Sequence, residues 1–542
     1  MRDIGFSYKV FNPYLVAAIA VMGGLLFGFD VSSMSSLISN DNYVEYFGTG
    51  EPGDRSVSAM RQAGITASMA GGSFLGALVS GPTSDRLGRK PVLQMAAWIW
   101  IIGCAIQCSA INMAQLIMGR IIAGFGVGFA SSQAPVYVAE MSPKRLRGAL
   151  VGVFQWFVTW GILIMFYIGY GCGHIDGPAS FRAAWGIMMI PGLVFFIGTL
   201  FLTESPRWLA AHDKWEDAIY IISHIQAKGD ENDENVRIEV EEIKGAVHIE
   251  QNSNFRFYHL FSRKNIRRTF IGATCQMWQQ LTGMNVDMYY ITTIFSFAGY
   301  EGDSNLIASS IQYVINVVMT IPALLFVDRW GRRRVMFYGA IIMMAWMIAM
   351  AAVLGQYSYP LSEEETSDPQ VRIMIPKSEQ DASKGLIAIT YLFVATYAPT
   401  WGPVGWIYCS EIFPLEQRAT ANALCASVNW IFNLAIALFS PQAFVSITWQ
   451  TYIIFAVFCF TMAVHVFLMY PETHGLTLEE VSELWEADVP AWKTSKWRPT
   501  IVPQIADIDA ANGGRAPSLK DKVESSAEHI DDVSFKSQEL SA

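Results

Sequence analysis

The sequence contains little charge. Only 15% of its 542 residues are Asp, Glu, Lys or Arg, and 52% are hydrophobic, whereas about a quarter of a soluble protein is charged. Nine long blocks contain none of these four residue types: 62–80, 91–119, 121–139, 148–173, 183–203, 304–327, 335–362, 385–410 and 419–471. A lipid bilayer requires about 20 such residues for each spanning helix. The sequence therefore predicts an all-α membrane protein, and it excludes soluble enzymes and nucleic-acid-binding proteins.

Several other signals are missing. No Asn-x-Ser/Thr acceptor for glycosylation occurs, and a polar start leads directly into an apolar block, so we expect no cleavable signal peptide. The seven cysteines lie within or at the ends of apolar blocks, where cysteine is usually a small apolar filler. No arrangement of a nucleophile with a base, or of metal ligands, is evident. We therefore expect no enzymatic activity, no metal and no cofactor other than a coupling proton.

The apolar blocks predict twelve transmembrane helices. We number them as spans 1 to 12 and place them at about 13–38, 62–82, 92–110, 114–138, 148–172, 183–203, 268–297, 305–327, 335–357, 385–410, 418–440 and 449–470. The predicted domains are a six-helix bundle at 1–203, a helical linker segment at 204–267, a second six-helix bundle at 268–470 and a tail at 471–542. The tail is polar, and we expect it to be disordered after about residue 488.

Lys and Arg predict the orientation of the spans. One set of loops carries Arg86, Arg89, Lys90, Lys144, Arg145, Arg147, Arg329, Arg332, Arg333, Arg334 and Arg418, and we call the side of the membrane with these loops the basic face. The loops 172–181, 298–304 and 446–448 on the opposite face contain no Lys or Arg. Because basic loops stay in the cytoplasm, both termini and the linker segment are predicted to be cytoplasmic.

Two motifs occur twice, at matching places in the two halves. Asp85–Lys90 follows span 2 and Asp328–Arg333 follows span 8, while Ala139–Pro143 follows span 4 and Ser410–Pro414 follows span 10. Such duplication of a six-helix unit is typical of alternating-access carriers, which bind their substrate between the two repeats. The pattern favours a carrier over a channel.

The repeated motifs also predict a gate on the basic face. Gly88 and Gly331 allow a turn of two or three residues between neighbouring spans, and acids and bases at the helix ends can pair. The predicted gate consists of Asp85, Arg89, Glu140, Arg147, Glu204, Arg207, Asp328, Arg332, Glu411 and Arg418. In this interpretation the pairs hold the two halves together when the site faces outward. The alternative is that these residues only anchor loops at the lipid headgroups.

The sequence resembles the sugar porter family of the major facilitator superfamily. The resemblance covers about residues 14–486 and depends on five motifs in order: Asp85–Lys90, Asp328–Arg333, Glu204–Trp208, Gln279–Asn285 and Pro471–Gly475. Within the family, the segments 64–80, 276–285 and 308–324 are similar to fungal high-affinity glucose transporters. The resemblance implies the major facilitator fold of two six-helix bundles with a cytoplasmic helical linker. It also implies a plasma-membrane location and a monosaccharide substrate, most simply glucose.

Amides inside the spans are the candidate sugar-binding groups. Sugar hydroxyls both donate and accept hydrogen bonds, and amides do the same without charge. The amides noted in the spans are Gln155, Gln279, Gln280, Asn285, Asn316, Asn429 and Asn433. The resemblance implies that all of them except Asn433 bind sugar, together with Trp406, which closes under the sugar ring, and Phe27. Trp430 is the second aromatic residue. The alternative is that the amides hydrogen-bond one helix to another.

The first half also contains an isolated acid and an isolated base. Asp30 in span 1 and Arg120 in span 4 are predicted partners, because charges within a membrane are costly unless paired. The resemblance matches them to the coupling pair of proton–sugar symporters, with Asp30 as the proton acceptor. A permanent structural ion pair is the alternative. Asp287 in span 7 is a further acid, at a position that the resemblance implies is usually apolar, and the sequence assigns it no role beyond facing an outer vestibule.

These observations lead to three hypotheses. The first is a plasma-membrane importer of glucose, another hexose or xylose that works by alternating access and proton symport. The second is a facilitated-diffusion hexose uniporter, and the third, least favoured, is a non-transporting glucose sensor, which would have a longer tail and an altered residue at Arg147. We expect a monomer in the lipid bilayer, with no nucleic-acid partner. Lys520, Lys522 and Lys536 in the tail are candidate sites for the ubiquitin machinery.

Overall fold

The computed structural model describes most of the chain. It covers residues 9–37, 41–47, 59–143, 146–234, 257–300, 302–361, 371–476, 478–487 and 489–497, and individual residues between 236 and 247. Lys144 and Arg145, which contributed to the predicted orientation, lie outside the described residues. The predicted disordered tail and its lysines Lys520, Lys522 and Lys536 also lie outside them.

The first half contains spans 1 to 6. Span 1 consists of helices Pro13–Ala20 and Met22–Leu37 and is followed by the short helix Asp41–Phe47. Spans 2 to 5 are Ala59–Leu87, Arg89–Cys108, Met113–Met141 and Arg147–Gly173, and span 6 consists of Ala179–Ile187 and Met189–Leu200. Side-chain caps explain two of the helix starts: Asn12 accepts from the Tyr14 N–H and Asn112 from the Gln115 N–H.

The linker segment and the second half follow. The linker contains helices Pro206–Ala211 and Trp215–Gln226 and the 3-10 turn Phe257–Phe261. Span 7 consists of Ile266–Leu281, Met284–Tyr289 and Ile291–Phe297, span 8 is Gly302–Trp330 and span 9 is Arg332–Tyr357. Span 10 consists of Gln380–Tyr397 and Trp401–Ile412, span 11 is Leu415–Ser446 and span 12 is Gln450–Met469. Helix Leu478–Glu486 and the 3-10 turn Ala491–Lys496 come last.

A small hairpin joins spans 9 and 10. Strands β1, Tyr359–Pro360, and β2, Ile373–Met374, pair antiparallel, with Tyr359 opposite Met374. The Ile375 N–H donates to the carbonyl of Phe297 at 2.8 Å, which attaches the hairpin to the end of span 7. The hairpin lies on the face opposite the basic loops.

The helices confirm the predicted fold class of a multi-pass membrane protein with twelve spans. Among the described residues, nine helical stretches are long and apolar enough to cross a membrane. The other three spans are span 2, which is rich in small residues, and spans 7 and 10, which are broken into shorter helices. The ends of most spans lie within a few residues of the predicted positions, although span 2 extends further at both ends.

The turns after spans 2 and 8 are tighter than predicted. A single residue, Gly88 or Gly331, separates the two helices in each case, where two or three residues were expected. Both glycines have positive φ, at 99° and 83°. A Cβ atom on Gly88 would also lie 2.3 Å from a carboxylate oxygen of Glu204, and one on Gly331 would lie 2.7 Å from Glu472. Glycine is therefore required by both backbone conformation and space.

The two halves contact each other at both ends of their interface. Span 2 packs along span 11, and span 5 packs along span 8. Near the basic face the Thr420 hydroxyl donates to Asp85 at 2.9 Å. Near the opposite face the rings of Phe166 and Tyr313 are 4.9 Å apart, and helix Met284–Tyr289 lies against span 1. The region between the halves is therefore closed toward both faces.

Candidate functional site

A break in span 7 positions the first group of amides. Helix Ile266–Leu281 carries Gln276, Gln279 and Gln280, whose spacing places them on one face. Gly283 then adopts the left-handed conformation, with φ +91°, before helix Met284–Tyr289 begins with Asn285 near its start. A continuous helix would turn Asn285 away from this face, whereas the break brings it to Gln280.

Asn429 of span 11 connects the three glutamines. Its side-chain nitrogen donates to Oε1 of Gln276 at 2.7 Å and to Oε1 of Gln279 at 2.8 Å. Its oxygen accepts from Nε2 of Gln280 at 2.8 Å. Asn429 is fully buried, so these three bonds satisfy a group that would otherwise be costly inside the membrane.

Two further residues extend the network from Gln280. The Gln280 oxygen accepts from Nδ2 of Asn285 and, at 3.2 Å, from Nδ2 of Asn433. The Tyr289 hydroxyl donates to the oxygen of Asn433 at 3.1 Å. We call the set Gln276, Gln279, Gln280, Asn285, Tyr289, Asn429 and Asn433 the amide network.

The amide network also contacts the break in span 10. Nε2 of Gln279 donates to the carbonyls of Trp401 and Gly402, at 3.0 and 2.8 Å. These carbonyls lie at the start of helix Trp401–Ile412. Gln155 of span 5 reaches the same place from the first half, since its Cγ lies 3.5 Å from where a Cβ of Gly402 would be. The broken helices thus bring both halves to one polar centre.

The structure groups five of the predicted substrate-binding and candidate amides, Gln279, Gln280, Asn285, Asn429 and Asn433, in the network. Gln155 and Asn316 make no side-chain hydrogen bond to it among the described residues, and the Asn316 oxygen is buried without a partner there. The sequence analysis missed Gln276 and Tyr289. The spacing of Gln276 from Gln279 and Gln280, three and four residues, is a signal that could have identified the first.

Aromatic side chains from both halves surround this centre. The ring centroids of Phe27 and Trp430 are 4.7 Å apart, and those of Phe154 and Trp406 are 5.4 Å apart with an interplanar angle of 66°. The Trp430 indole donates to the Ser131 hydroxyl at 3.0 Å. In each pair one ring comes from the first half and the other from the second, so relative motion of the halves must separate them.

The chemistry of this arrangement suits a neutral, hydroxyl-rich molecule. Each amide offers a donor and an acceptor, and in the structure these groups satisfy one another. A ligand with several hydroxyls can exchange these bonds one for one, while aromatic faces pack against its C–H groups. A charged ligand would find no side chain of opposite sign in the amide network.

The predicted pair in the first half also forms. Asp30 and Arg120 are fully buried, and Nη1 of Arg120 lies 3.6 Å from Oδ1 of Asp30. The hydrogen bonds of Arg120 go to neutral groups instead: Nε donates to the Ile65 carbonyl at 2.9 Å, and Nη1 to the Ser33 hydroxyl at 3.2 Å. Neither oxygen of Asp30 has a hydrogen-bond partner in the described part of the chain. The carboxyl group is thus held by charge alone and can gain a proton without losing a hydrogen bond.

On the basic face, the first copy of the gate motif is organised around Arg89. Its guanidinium donates to both oxygens of Glu140, at 3.2 and 3.3 Å, and lies 3.5 Å from Asp85. Glu204 accepts from the backbone N–H groups of Arg89 and Lys90. Burial raises the pKa of the Glu204 carboxyl, and these N–H groups together with the Arg89 charge oppose the rise.

The second copy repeats this geometry around Arg332. Its guanidinium donates to the two oxygens of Glu411, at 3.1 and 2.7 Å, and to Asp328 at 2.7 Å. Glu472 accepts from the backbone N–H of Arg332 at 2.8 Å. Glu472 is therefore the counterpart of Glu204. It belongs to the Pro471–Gly475 motif but was not among the predicted gate residues.

The ion pairs differ from the prediction in one respect. They were expected to join the two halves, yet Arg89–Glu140 lies entirely in the first half and Arg332–Glu411 entirely in the second. The reason is that each pair joins the start of one helix to the end of the next span of the same half: span 3 packs along span 4, and span 9 packs along span 10.

Contacts across the halves on the basic face are of other kinds. Thr420 donates to Asp85, and a Cβ on Gly148 would lie 2.5 Å from Oδ1 of Asp328, so the start of span 5 abuts the second-half motif. The charge of Arg418 acts on Glu140 across the interface. Of the remaining predicted gate residues, Arg207 also acts on Glu140 through its charge, and Nε of Arg147 donates to the Ala139 carbonyl at 3.0 Å.

The fold and this site define a membrane carrier built from two equivalent halves with a neutral polar centre between them. The family model described as "Sugar (and other) transporter" matches residues 16–485. The chain belongs to this sugar transporter family.

Relatives and solved structures agree with this assignment. The high-affinity glucose transporter of Kluyveromyces lactis is 48% identical, over 98% of this chain and 95% of its own length. High-affinity glucose transporter 1 of Candida albicans is 49% identical, over 95% and 93%. The proton:xylose symporter XylE bound to 6-bromo-6-deoxy-D-glucose has a similar fold, with a TM-score of 0.74 and 26% identity, over 87% of this chain and 99% of its own. The predicted sugar porter family is confirmed, as is the similarity to fungal high-affinity glucose transporters.

Proposed function

We propose that this protein imports glucose or a closely related monosaccharide by alternating access, with the amide network as the centre of the sugar site. The observation that carries the proposal is the network itself, a largely buried group of neutral donors and acceptors at the junction of two broken helices and both halves. Gln155, Asn316, Phe27 and Trp406 complete the proposed site. Two relatives about half identical in sequence are named glucose transporters, which supports glucose as the substrate.

We propose further that transport is coupled to protons through Asp30 and Arg120. When Asp30 is charged, Arg120 is attracted to it and spans 1 and 4 are held together. A proton from the opposite face neutralises Asp30 and removes this attraction, so the halves can rock with the sugar bound. The proton leaves when the site opens to the basic face. The solved symporter with the same fold, XylE, supports coupling.

Facilitated diffusion is the second candidate, and one observation favours it. The hydrogen bonds of Arg120 to the Ile65 carbonyl and the Ser33 hydroxyl hold the guanidinium whether or not Asp30 is charged. If these bonds dominate, protonation of Asp30 changes little and the pair is structural. A non-transporting sensor has no comparable observation in its favour.

The test is radiolabelled glucose uptake in cells that lack their own hexose carriers, with and without a protonophore, while external pH is recorded. We expect accumulation above the outside concentration, external alkalinisation and loss of accumulation with the protonophore or in Asp30→Asn. Uptake that stops when the inside and outside glucose concentrations are equal, and that the protonophore does not change, would establish the uniporter. A chain that reaches the surface but moves no sugar would indicate a sensor.

A second experiment, epitope detection in the same cells, tests the location and the orientation. We propose that the chain acts as a monomer in the plasma membrane with the basic face toward the cytoplasm, and that its tail lysines are available to the ubiquitin machinery. An epitope at either terminus should then be detected only after the cells are permeabilised. Detection at the surface of intact cells would overturn the orientation.

A further inference from the structure

A second buried acid lies in the second half of the protein. Asp287 belongs to the short helix Met284–Tyr289 and is 1% exposed. Its side chain makes no ion pair or hydrogen bond among the described residues, and its Oδ2 atom is buried without a partner. It differs in this from Asp30, which has Arg120 beside it.

Among the described residues, no positive charge lies close enough to act on Asp287, although Arg120 of span 4 acts on Tyr289 in the same helix. Among spans 1, 8, 11 and 12, Lys and Arg occur only at the basic-face ends of span 8, with Arg329, and span 11, with Arg418. The titratable group of span 1 is Asp30, which is itself an acid.

The other titratable groups near the helix are phenols. Tyr452 of span 12 is buried, experiences the charge of Asp287 and has no hydrogen-bond partner for its hydroxyl in the described chain. Tyr313 of span 8 donates to the Met288 carbonyl at 3.1 Å. Within the helix or at its end, Tyr289 bonds Asn433 and Tyr290 donates to the Ala437 carbonyl at 3.2 Å.

The ionised form of a carboxyl group is strongly disfavoured in such a place. A carboxylate without a cation or a hydrogen-bond donor of the protein beside it costs far more to bury than the neutral acid. The neutral acid is therefore the form that fits the closed arrangement, in which helix Met284–Tyr289 lies against span 1 and span 11.

We propose that Asp287 is a second proton-binding group of this carrier, protonated while the opposite face is closed and ionised when that face opens. This inference rests on the proposed transport cycle, because the cycle requires the opposite face to open. The proton comes from water on the opposite face and binds a carboxylate oxygen of Asp287 as the halves close, and it returns to that water on opening.

The position of Asp287 explains why opening changes its surroundings. Its helix is set off by the left-handed Gly283 at one end and by a second interruption at Tyr290 at the other. Opening toward the opposite face must separate this helix from span 1, which admits water beside it. Asn285 and Tyr289 of the same helix belong to the amide network, so sugar binding and closure of the helix are coupled. Closure is in turn accompanied by protonation of Asp287.

The test is glucose affinity against pH, measured by tryptophan fluorescence with the purified full-length protein in detergent. In Asp30→Asn, which removes the first proton site, we expect the Kd for glucose to rise with pH by up to about tenfold per pH unit, the limit for one proton taken up on binding. In Asp30→Asn/Asp287→Asn the Kd should not depend on pH. A flat profile in Asp30→Asn, or the same slope in both variants, would overturn the proposal.

A matched control and an independent readout complete the experiment. Asp381→Asn removes an exposed carboxylate near the opposite-face end of span 10 and should leave the slope unchanged. Infrared spectroscopy requires no sugar: the carbonyl stretch of a protonated, buried carboxyl group should be present in Asp30→Asn and absent in Asp30→Asn/Asp287→Asn. An equal band in both would refute the proposal even if glucose does not bind. Failure of wild-type protein to bind glucose, with the infrared difference present, would instead refute the proposed substrate.

Discussion

The centre of the first half differs from that of the second in the kind of polar group it buries. In the first half the groups are a carboxylate and a guanidinium, Asp30 and Arg120, held mainly by charge. In the second half they are amides that satisfy one another through short hydrogen bonds around Asn429. On the basic face, by contrast, the halves are nearly identical, with Arg89 and Arg332 in the same role.

This contrast separates two tasks. In the proposed cycle, the repeated motifs on the basic face take part in the motion of both halves. The proposed chemistry of the two centres differs: the charges of the first half respond to protons, and the neutral amides of the second half recognise hydroxyls. A change of charge in the first half should therefore alter stability and coupling, whereas a change of amide in the second should alter affinity.

The largest effect on stability and uptake is expected when one buried charge of the first half loses its partner. Arg120→Met leaves Asp30 buried without a partner, which typically costs about 3–5 kcal/mol. We expect a strongly lowered unfolding temperature in detergent and uptake close to background. The double variant Asp30→Asn/Arg120→Met leaves no buried charge and should recover most of the unfolding temperature while remaining uncoupled. If Arg120→Met is as stable as the wild type, the pair does not hold the first half together.

The next effect should appear in affinity rather than stability. Asn429→Leu removes the three hydrogen bonds that Oε1 of Gln276, Oε1 of Gln279 and Nε2 of Gln280 make with it. We expect a cost of about 2 kcal/mol or more for sugar binding, or roughly thirtyfold in the KM for glucose uptake. Gln107→Met is the matched control, since Gln107 is a fully buried amide of the first half, in span 3. Its KM should stay within about twofold of the wild-type value. Equal increases in KM in the two variants would show that any buried amide affects uptake through packing. The distinction between the halves would then be lost.

Much of this contrast could be predicted from the sequence. The uncharged blocks predict the spans because a membrane excludes charge, and the duplicated motifs predict the two halves. Asp30 and Arg120 could be paired because isolated charges in a membrane need partners. The Gln279–Asn285 motif predicts amides near one site, and the structure places them in one network.

Other features depend on geometry that the sequence does not contain. Gln276 joins the network because Asn429 of span 11 happens to lie opposite it, which is a matter of helix packing. The ion pairs form within each half because Arg89 and Arg332 begin spans 3 and 9, and these spans pack along spans 4 and 10, which end with the acids. Glu472 becomes the counterpart of Glu204 only when the chain after span 12 folds back to the start of span 9. The isolation of Asp287 likewise depends on which faces of the spans surround it.

The smallest effect should come from a contact between the halves that neither motif predicts. Thr420→Val removes the hydrogen bond to Asp85, worth about 1 kcal/mol, and should favour opening on the basic face about fivefold. Ala423→Cys reports this opening, since Ala423 is buried against Gly81 of the other half. Its rate of modification by a maleimide should rise about fivefold when Thr420→Val is added. Thr461→Val, which removes a hydroxyl of span 12 bonded only to its own helix, should leave the rate unchanged. An unchanged rate in Thr420→Val would mean that the halves are held on the basic face by the packing of spans 2 and 11 alone, and that the polar contact between them is incidental to closure.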